Sequence, residues 1–384
     1  MMAEPLAPAA VACTSDAGTT LLLDNTTVAA VLTPRMTREA LLAAYSDLAA
    51  GEAVCRPRID IRIPTAQPGR FYQWGSMEGG STRGYFAVRM KSDVIHEERH
   101  GDARTQEKHA GRPGLFCGLI LLTDIETAVP LALINDGVLQ HMRVAADSAI
   151  GADVMARRGP LVLGMLGSGG MARAHVAALK EVRDIVQIRV YSPTASHREQ
   201  FAVDMQREHG IPAQAVDTPA AACRDADILA ACTDSATPVI RAEWLAPGMH
   251  VVSIGGRPHP EARARFDATL RLGTAPAPVG RPDLGVADEY LGYVARPTAP
   301  LWKDVRMGGR APAVTGEGHD ITLADVLQGR HPGRTDAREI TYAERGNIQG
   351  AQFYAVAAVV YEEAGRRGLG HPLPTSWFLQ DIRD

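Results

Sequence analysis

Hydrophobic spacing divides the chain into stretches of different period. Residues 1–18 carry no apolar rhythm, are rich in Ala and Pro, and are expected to form a poorly ordered tail. Thr19 to Leu23 predicts a short strand. From Thr37 to Ala50, Leu41, Leu42, Tyr45 and Leu48 recur at helical spacing. Extended segments follow: Arg58 to Ile63 alternates, Phe71 to Trp74 is aromatic, and Gly84 to Met90 is rich in strand formers. Leu115 to Leu122 and Val129 to Ile134 predict two more strands. The Gly-rich and polar breaks between these runs fit a mostly antiparallel sheet. His96 to Arg112 has almost no apolar positions and predicts a solvated loop or insertion. Its composition leaves open whether the segment at 93–112 is an ordered cover over a site.

Gly137 to Arg157 predicts a helix, with Met142, Ala145, Ala146, Ala149 and Val154 at packing positions; its small residues suit close helix packing. Strand and helix signals then alternate: strand 161–166, helix 172–182, strand 187–191, helix 195–209, strand 213–216, helix 219–224, strand 227–231, helix 242–246 and strand 249–254. That alternation predicts a parallel, doubly wound sheet. After about residue 308 the pattern changes to a short helix at Ile321 to Leu327, a strand at Glu339 to Tyr342 and a long helix from Gln349 to Arg367. The tail is expected to pack back on the N-terminal part. The domains expected are thus 19–144 joined to 309–384, with 145–308 inserted between them.

The inserted part opens on Leu161-Val162-Leu163-Gly164-Met165-Leu166-Gly167-Ser168-Gly169-Gly170-Met171-Ala172. An apolar strand runs into Gly-x-Gly-x-x-Ala and then into a helix, the first βα unit of a Rossmann-type dinucleotide-binding fold. Gly167 permits the tight turn, Gly169 lets backbone approach a pyrophosphate, and Ala172 lets helix and strand pack closely. The helix N-terminus offers N–H groups and a positive dipole end to phosphates.

Composition narrows the class. With 46% hydrophobic and 22% charged residues the chain reads as globular, and a net charge of -4 gives no field for nucleic acid or an anionic membrane. The five cysteines, Cys13, Cys55, Cys117, Cys223 and Cys232, are scattered and form no Cys-x-x-Cys, which argues against a disulfide framework or zinc site and for a reducing cytoplasm. The longest apolar runs are too short to span a bilayer, and the N-terminus has no basic signal-peptide region. No metal spacing occurs among the twelve histidines, and Gly-x-Ser-x-Gly is absent. The cluster of His96, Glu97, Glu98 and His100 is read as part of the charged loop.

Several segments together resemble the ornithine cyclodeaminase/μ-crystallin family. Arg143-Val144-Ala145-Ala146-Asp147-Ser148-Ala149 is similar to that family's Arg-Thr-Ala-Ala-x-Ser-Ala helix, and the glycine loop follows at the expected distance. Ala226-Asp227-Ile228-Leu229-Ala230-Ala231-Cys232-Thr233 resembles its Ala-Asp-x-x-x-x-x-Thr strand, and Trp244 to Val251 and Ile254-Gly255-Gly256 continue the match. The likeness runs from about Leu21 to Leu369 and is strongest in 113–256. It implies an α/β fold, a Rossmann-type doubly wound parallel sheet inserted in a discontinuous α+β domain for substrate binding and dimerisation. It also implies a homodimer and a nicotinamide cofactor used to oxidise amines or reduce imines.

Arg58, Lys91 and Arg143 stand at positions resembling the family's substrate clamp. The residue types agree: an arginine offers a planar fork for a carboxylate, and a lysine buried beside arginines has a lowered pKa suited to acid or base work. Arg143 lies in an otherwise small, apolar helix. The departure is Arg257 in Ile254-Gly255-Gly256-Arg257-Pro258, where many members of the family carry Asp. An arginine there repels a substrate ammonium and cannot act as a base. Arg257 is therefore expected among the substrate-binding residues, favouring a second substrate carboxylate over ornithine; Asp267 is a less favoured substitute for the missing acid. Phe71, Tyr72, Trp74 and Phe86 are candidates either for a pocket lining or for the core.

Cofactor choice turns on the end of the second inserted strand. Ser192 stands where an NAD-specific acid would bind the ribose 2′-hydroxyl, so Ser192, Thr194, Ser196 and Arg198 are free to bind a 2′-phosphate, favouring NADP(H) over NAD(H). Thr194 or Ser196 could equally cap the following helix. Gly167, Gly169, Gly170 and Met171 are the expected phosphate contacts, with Thr233, Ser235 and Ile254 along the rest of the cofactor. The expected function is an NAD(P)H-dependent oxidoreductase on an imine or ketimine acid, or an amino acid, with Lys91 catalytic and hydride passing at nicotinamide C4. The alternatives are deaminating cyclisation of a diamino acid and a non-catalytic NADPH- and ligand-binding protein.

Overall fold

The computed structural model describes residues 18–100, 103–235, 237–286, 290–296 and 320–382. The expected tail at 1–17 lies outside them. Two sheets share the described chain. The first is built from β1 (Thr19–Leu23), β2 (Ala53–Cys55), β3 (Arg58–Pro64), β4 (Phe71–Ser81), β5 (Tyr85–His100), β6 (Ala103–His109), β7 (Cys117–Asp124) and β8 (Pro130–Asn135). The second begins with β9 (Pro160–Leu166), β10 (Asp184–Tyr191), β11 (Ala213–Ala215), β12 (Ile228–Ala231), β13 (His250–Ser253) and β14 (Ala268–Arg271). Four later strands are divided between the sheets: β15 (Tyr290–Val294), β16 (Asp320–Thr322), β17 (Thr341–Glu344) and β18 (His371–Pro374).

The second sheet runs β11-β10-β9-β12-β13-β17-β14-β16, and every pair in it is parallel. The order reverses between β9 and β12, and ligands of such sheets sit beyond the carboxyl ends of the strands at this reversal. Leu161, Leu163 and Met165 alternate into a core shared with Val176, Ile188 and Phe201. The first sheet runs β15-β3-β4-β5-β7-β8-β1-β18, with β2 beside β4 and β6 beside β5. It is mostly antiparallel, as its breaks predict; β1 with β8 and β15 with β3 are parallel.

The helices, in chain order, are α1 (Asn25–Val31), α2 (Pro34–Ala50), α3 (Gly137–Met155), α4 (Gly170–Leu179), α5 (Ala195–His209), α6 (Pro219–Cys223), α7 (Pro260–Arg263), α8 (Leu323–Leu327) and α9 (Gln349–Arg366). α3 joins the two halves, packing on α2 and α9 on one side and on α4 on the other. Its C-terminal carbonyls are closed by two arginines from distant segments: Arg334 Nε donates to Met155 O at 2.5 Å and Arg183 Nη2 to Ala156 O at 3.3 Å. Among the described residues no helix is long and apolar enough to cross a membrane.

Three expectations change. In its described residues the segment 96–112 is paired strand rather than loop: β5 continues to His100 and pairs with β6, Val94 opposite His109 and Glu98 opposite Thr105. Its described positions are polar or charged on both faces, from His96 to Glu98 and from Thr105 to Lys108, so no apolar alternation marks a strand. The break drawn at 308 does not separate the sheets. β15, before it, pairs with β3, while β16 and β17, after it, pair in the parallel sheet. Finally, the Ile321 to Leu327 segment opens as strand β16 before it turns into α8, with Thr322 capping the helix.

Candidate functional site

β3 inverts the usual pattern of a half-buried strand. Asp60 and Arg62 are buried, while Ile61 and Ile63 face outward. The ladder places Asp60 opposite Gly75, Gly75 opposite Lys91 and Lys91 opposite Gly118, so one row of side chains crosses four strands. The two glycines leave room for what flanks them. A Cβ at Gly75 would lie 2.7 Å from Asp60 Oδ1 and 2.8 Å from Lys91 Cε, and one at Gly118 would run into the Asp136 carboxylate.

Lys91 is thereby boxed into this face. Its Nζ donates to Asp93 Oδ2 at 3.1 Å. Burial, and next the Arg58 guanidinium, push its ammonium down to about 7, Asp93 pulling the other way. Arg58 Nε donates to Asp60 Oδ1 at 2.7 Å, and its guanidinium stands 5.0 Å from the Tyr290 ring centre. The structure thus brings Arg58 and Lys91 side by side. Two residues along β5 on the same face, Arg89 Nε donates to Asp136 Oδ2 at 2.6 Å.

Arg143 enters from α3. Its guanidinium lies 4.7 Å from the Phe353 ring centre, with that of Arg89 at 5.2 Å from the same ring. Nε and Nη2 donate to Gln140 Oε1 and Nη1 to Gln352 Oε1. Burial first, then Arg345 and Arg89, push Arg143 down to about 9. Sequence reasoning missed Asp60, Arg89, Asp136, Asp147, Arg345 and Gln352. For Asp147 a signal existed: an acid four residues after Arg143 in a small apolar helix must share its buried face.

Of the aromatic candidates, Phe71 is buried on the Lys91 face under Arg62. Tyr72, Trp74 and Phe86 sit at odd offsets from Gly75 and Lys91 on their strands, and so on the opposite face.

The glycine loop closes the carboxyl end of β9. Gly167 has φ +115°, and a Cβ there would run into the Cys232 carbonyl beyond β12. Gly169 is different: its backbone is extended, and a Cβ would meet nothing within 4 Å. α4 begins at once behind it without a side-chain cap, so its first N–H groups face that open space, a cradle that fits a pyrophosphate. Met171 is half-buried at this turn, and the His141 ring lies against Gly170. Ala172 is fully buried in the core under β9.

The neighbouring strand ends gather the remaining cofactor candidates. A Cβ at Gly255 would run into the Thr233 carbonyl, so Ile254-Gly255-Gly256 packs directly on Thr233. Ser235 forms an antiparallel bridge with Thr105, so the β5–β6 hairpin reaches the cofactor edge of the parallel sheet. At the end of β10, Ser168 Oγ donates to Ser192 Oγ at 2.9 Å. Thr194 is the N-cap of α5, and its side chain makes no capping bond. Arg198 Nη1 donates to the Ser192 carbonyl at 3.1 Å and Nη2 to Asp217 Oδ1 at 2.7 Å. Arg257 is exposed just beyond β13, its carbonyl accepting from Val239 N–H at 2.9 Å. Asp267 is structural, accepting the Ile340 N–H at 2.7 Å. No cluster of three potential metal ligands occurs among the described residues.

Known proteins carry the same framework. The sequence profile of the ornithine cyclodeaminase/mu-crystallin family matches residues 100–272. The protein RB0419 of Rhizobium meliloti (strain 1021) is 30% identical over 68% of this chain and 74% of its own length. The Delta(1)-pyrroline-2-carboxylate reductase of Bacillus cereus (strain ATCC 14579) is 28% identical over 70% of this chain and 77% of its own. The structure of an archaeal alanine dehydrogenase dimer with bound NAD superposes with a TM-score of 0.69 over 92% of this chain and 99% of that one, at 24% identity. The chain belongs to the ornithine cyclodeaminase/mu-crystallin family, and its fold is the family's Rossmann-type sheet joined to a second, mostly antiparallel sheet.

Proposed function

We propose that the protein interconverts an imino or ketimine acid and the corresponding amino acid, using a nicotinamide cofactor with NADP(H) preferred. The chain is an oxidoreductase for CH–NH or CH–NH2 groups, similar to a pyrroline-carboxylate reductase and an alanine dehydrogenase. One observation carries the reading: Lys91, titrating near neutrality, shares a buried sheet face with Arg58 and Arg89, and a hairpin of that sheet reaches the dinucleotide crevice at Ser235.

The nicotinamide supplies or accepts the hydride when bound. Arg143 and Arg58 hold the substrate carboxylate, and Lys91 Nζ gives a proton to the substrate nitrogen or takes one from it. The β5–β6 hairpin covers the cleft and limits water. Gly167, Gly169, Gly170 and Met171 would hold the pyrophosphate, and Thr233, Ser235 and Ile254 would line the rest of the cofactor. Ser192, Thr194 and Arg198 would hold the ribose 2′-phosphate, Arg198 turning to it from Asp217. Arg257 beyond β13 disfavours a second substrate ammonium, so cyclisation of ornithine is the weaker reading.

A homodimer accounts for the outer face of the first sheet. Ile61 lies opposite both Trp74 and Tyr293, and Tyr293 is 56% exposed. Ile63 and Leu291 extend the same apolar surface. The four described cysteines are free, in keeping with a reducing cytoplasm.

The test is NADPH and NADH oxidation with Δ1-pyrroline-2-carboxylate, iminosuccinate and pyruvate plus ammonia. Turnover of at least one, abolished by K91M, is the expected result. No oxidation with any of them, or conversion of ornithine to proline without net cofactor change, overturns it.

A further inference from the structure

Behind Arg143 lies a buried polar network drawn from α2, α3 and α9. Asp147 follows one helical turn later on α3 and is completely buried. Tyr45, reaching in from α2, donates its hydroxyl to Asp147 Oδ1. Gln352, from α9, donates Nε2 both to Asp147 Oδ2 at 3.1 Å and to the Tyr45 hydroxyl oxygen at 2.8 Å. Its other end, Oε1, accepts Arg143 Nη1 at 2.5 Å.

This arrangement admits one orientation of the Gln352 amide. The carboxylate only accepts, and the Tyr45 proton is already committed to it, so both must face the amide NH2. The amide oxygen is then forced toward Arg143. Without the carboxylate, a flipped amide would point its NH2 at a guanidinium and leave Arg143 Nη1 unpaired. Gln140 holds the opposite edge of that guanidinium and Phe353 supports its plane, so the Gln352 oxygen is the third of three supports.

We propose that Asp147 is a positioning residue for the substrate-carboxylate seat: through the Gln352 amide it fixes the Arg143 guanidinium without touching substrate. The proposal rests on the reading above that Arg143 receives the carboxylate.

The network also makes that seat sensitive to acid. Burial raises the Asp147 carboxyl to about 6 against the opposing pull of Tyr45, Arg345, Arg143 and Gln352. These four are the polar groups that face it from α2, from the turn after β17, from α3 itself and from α9. A protonated Asp147 becomes a donor on one oxygen: on Oδ1 it reverses the Tyr45 bond, and on Oδ2 it opposes the Gln352 amide NH2. The second case, and the loss of the negative charge in both, weaken the hold on the Gln352 amide and so on Arg143. The contribution of Asp147 to carboxylate affinity therefore falls as pH drops through about 6, opposite to the gain from Lys91 taking up its proton near 7.

The experiment measures binding of pyrrole-2-carboxylate, a planar carboxylate that cannot turn over as an imine, to the NADP+-loaded protein by calorimetry from pH 5 to 9. Wild type, D147N, Q352L, Y45F and R143A are compared, with NADP+ affinity measured alongside. D147N is expected to weaken the carboxylate by about tenfold at pH 8, equivalent to about 1.4 kcal/mol, and to lose the contribution that falls through pH 6. Q352L should do the same, and D147N/Q352L should be no weaker than either alone. NADP+ affinity should not move, a selectivity that general loosening of the fold would not produce. D147N binding with wild-type affinity and pH dependence overturns the proposal, as do additive effects in the double variant. Should D147N not fold, Q352L and Y45F carry the same comparison. R143A separates the two levels: unchanged binding in R143A, or no binding by wild type at millimolar concentration, removes the carboxylate seat itself. Loss in R143A with none in D147N removes only the role of Asp147.

Discussion

Gly75 and Lys91 are register partners on adjacent strands, and a Cβ on the glycine would stand 2.8 Å from the lysine's Cε. With Asp60 Oδ1 at 2.7 Å on its other side, the added methyl has no room to shift away from the lysine. G75A should push Lys91 out of its box, at a cost of about 1–3 kcal/mol for overpacking. A drop in kcat of at least tenfold and a displaced pH midpoint are expected from pH–rate profiles. Wild-type kinetics in a folded G75A protein would contradict the arrangement.

The lowered ammonium of Lys91 gives stability a defined pH dependence. The group sits near 7 folded and near 10.5 unfolded. Between those values the unfolded chain holds a proton that the folded chain lacks, so this group's contribution to stability rises with pH across the window. K91M removes the rise. Urea unfolding should find the variant's advantage over wild type largest at pH 7 and below, and gone near pH 10.5. Parallel stability curves would rule the shift out.

The two loop glycines differ in what they do. G167A meets both a positive φ and the Cys232 carbonyl, so it should lower the melting temperature by several degrees. G169A enters open space and should melt like wild type, yet weaken NADPH by at least about tenfold, or 1.4 kcal/mol, because the methyl occupies the pyrophosphate seat. Thermal melts and fluorescence titration distinguish the pair. Equal stability loss in both would show that Gly169 is a fold residue only.

Cofactor preference rests on the end of β10. S192D places a carboxylate beside Ser168 and should lower kcat/KM for NADPH by at least about tenfold while sparing or improving NADH, through repulsion of the 2′-phosphate. R198A should lose NADPH preferentially. A wild-type enzyme that favours NADH, with S192D unchanged, would remove the NADP(H) assignment.

Dimerisation is tested on the outer sheet face. I61D and Y293D place charges on two opposed exposed positions remote from the Lys91 face. Light scattering should show wild-type dimers and monomeric variants with intact secondary structure. A monomeric wild type would show that this face has another use.

The glycine loop, the βα alternation behind it and the small-residue helix carrying Arg143 were legible from spacing alone, because each is a local pattern of 3.6 or 2 residues with a turn residue at a fixed offset. Arg58 and Lys91 were found by resemblance, and Ser192 by its place at the end of a strand. The β5–β6 hairpin was not legible, since a ribbon polar on both faces has no apolar alternation. The boundary near 308 failed for a related reason: β15, β16 and β17 are short strands whose sheet is chosen by partners far away in sequence. The row Asp60–Gly75–Lys91–Gly118 exists only once four strands are in register, and the Asp147–Gln352–Arg143 network only once α3 and α9 are packed. The sequence by itself determined the βα alternation, the helix carrying Arg143 and the glycine loop, whose causes lie within a dozen residues. Tertiary structure alone decided the burial that tunes Lys91 and Asp147, because desolvation and charge proximity are properties of neighbours that the chain order keeps apart.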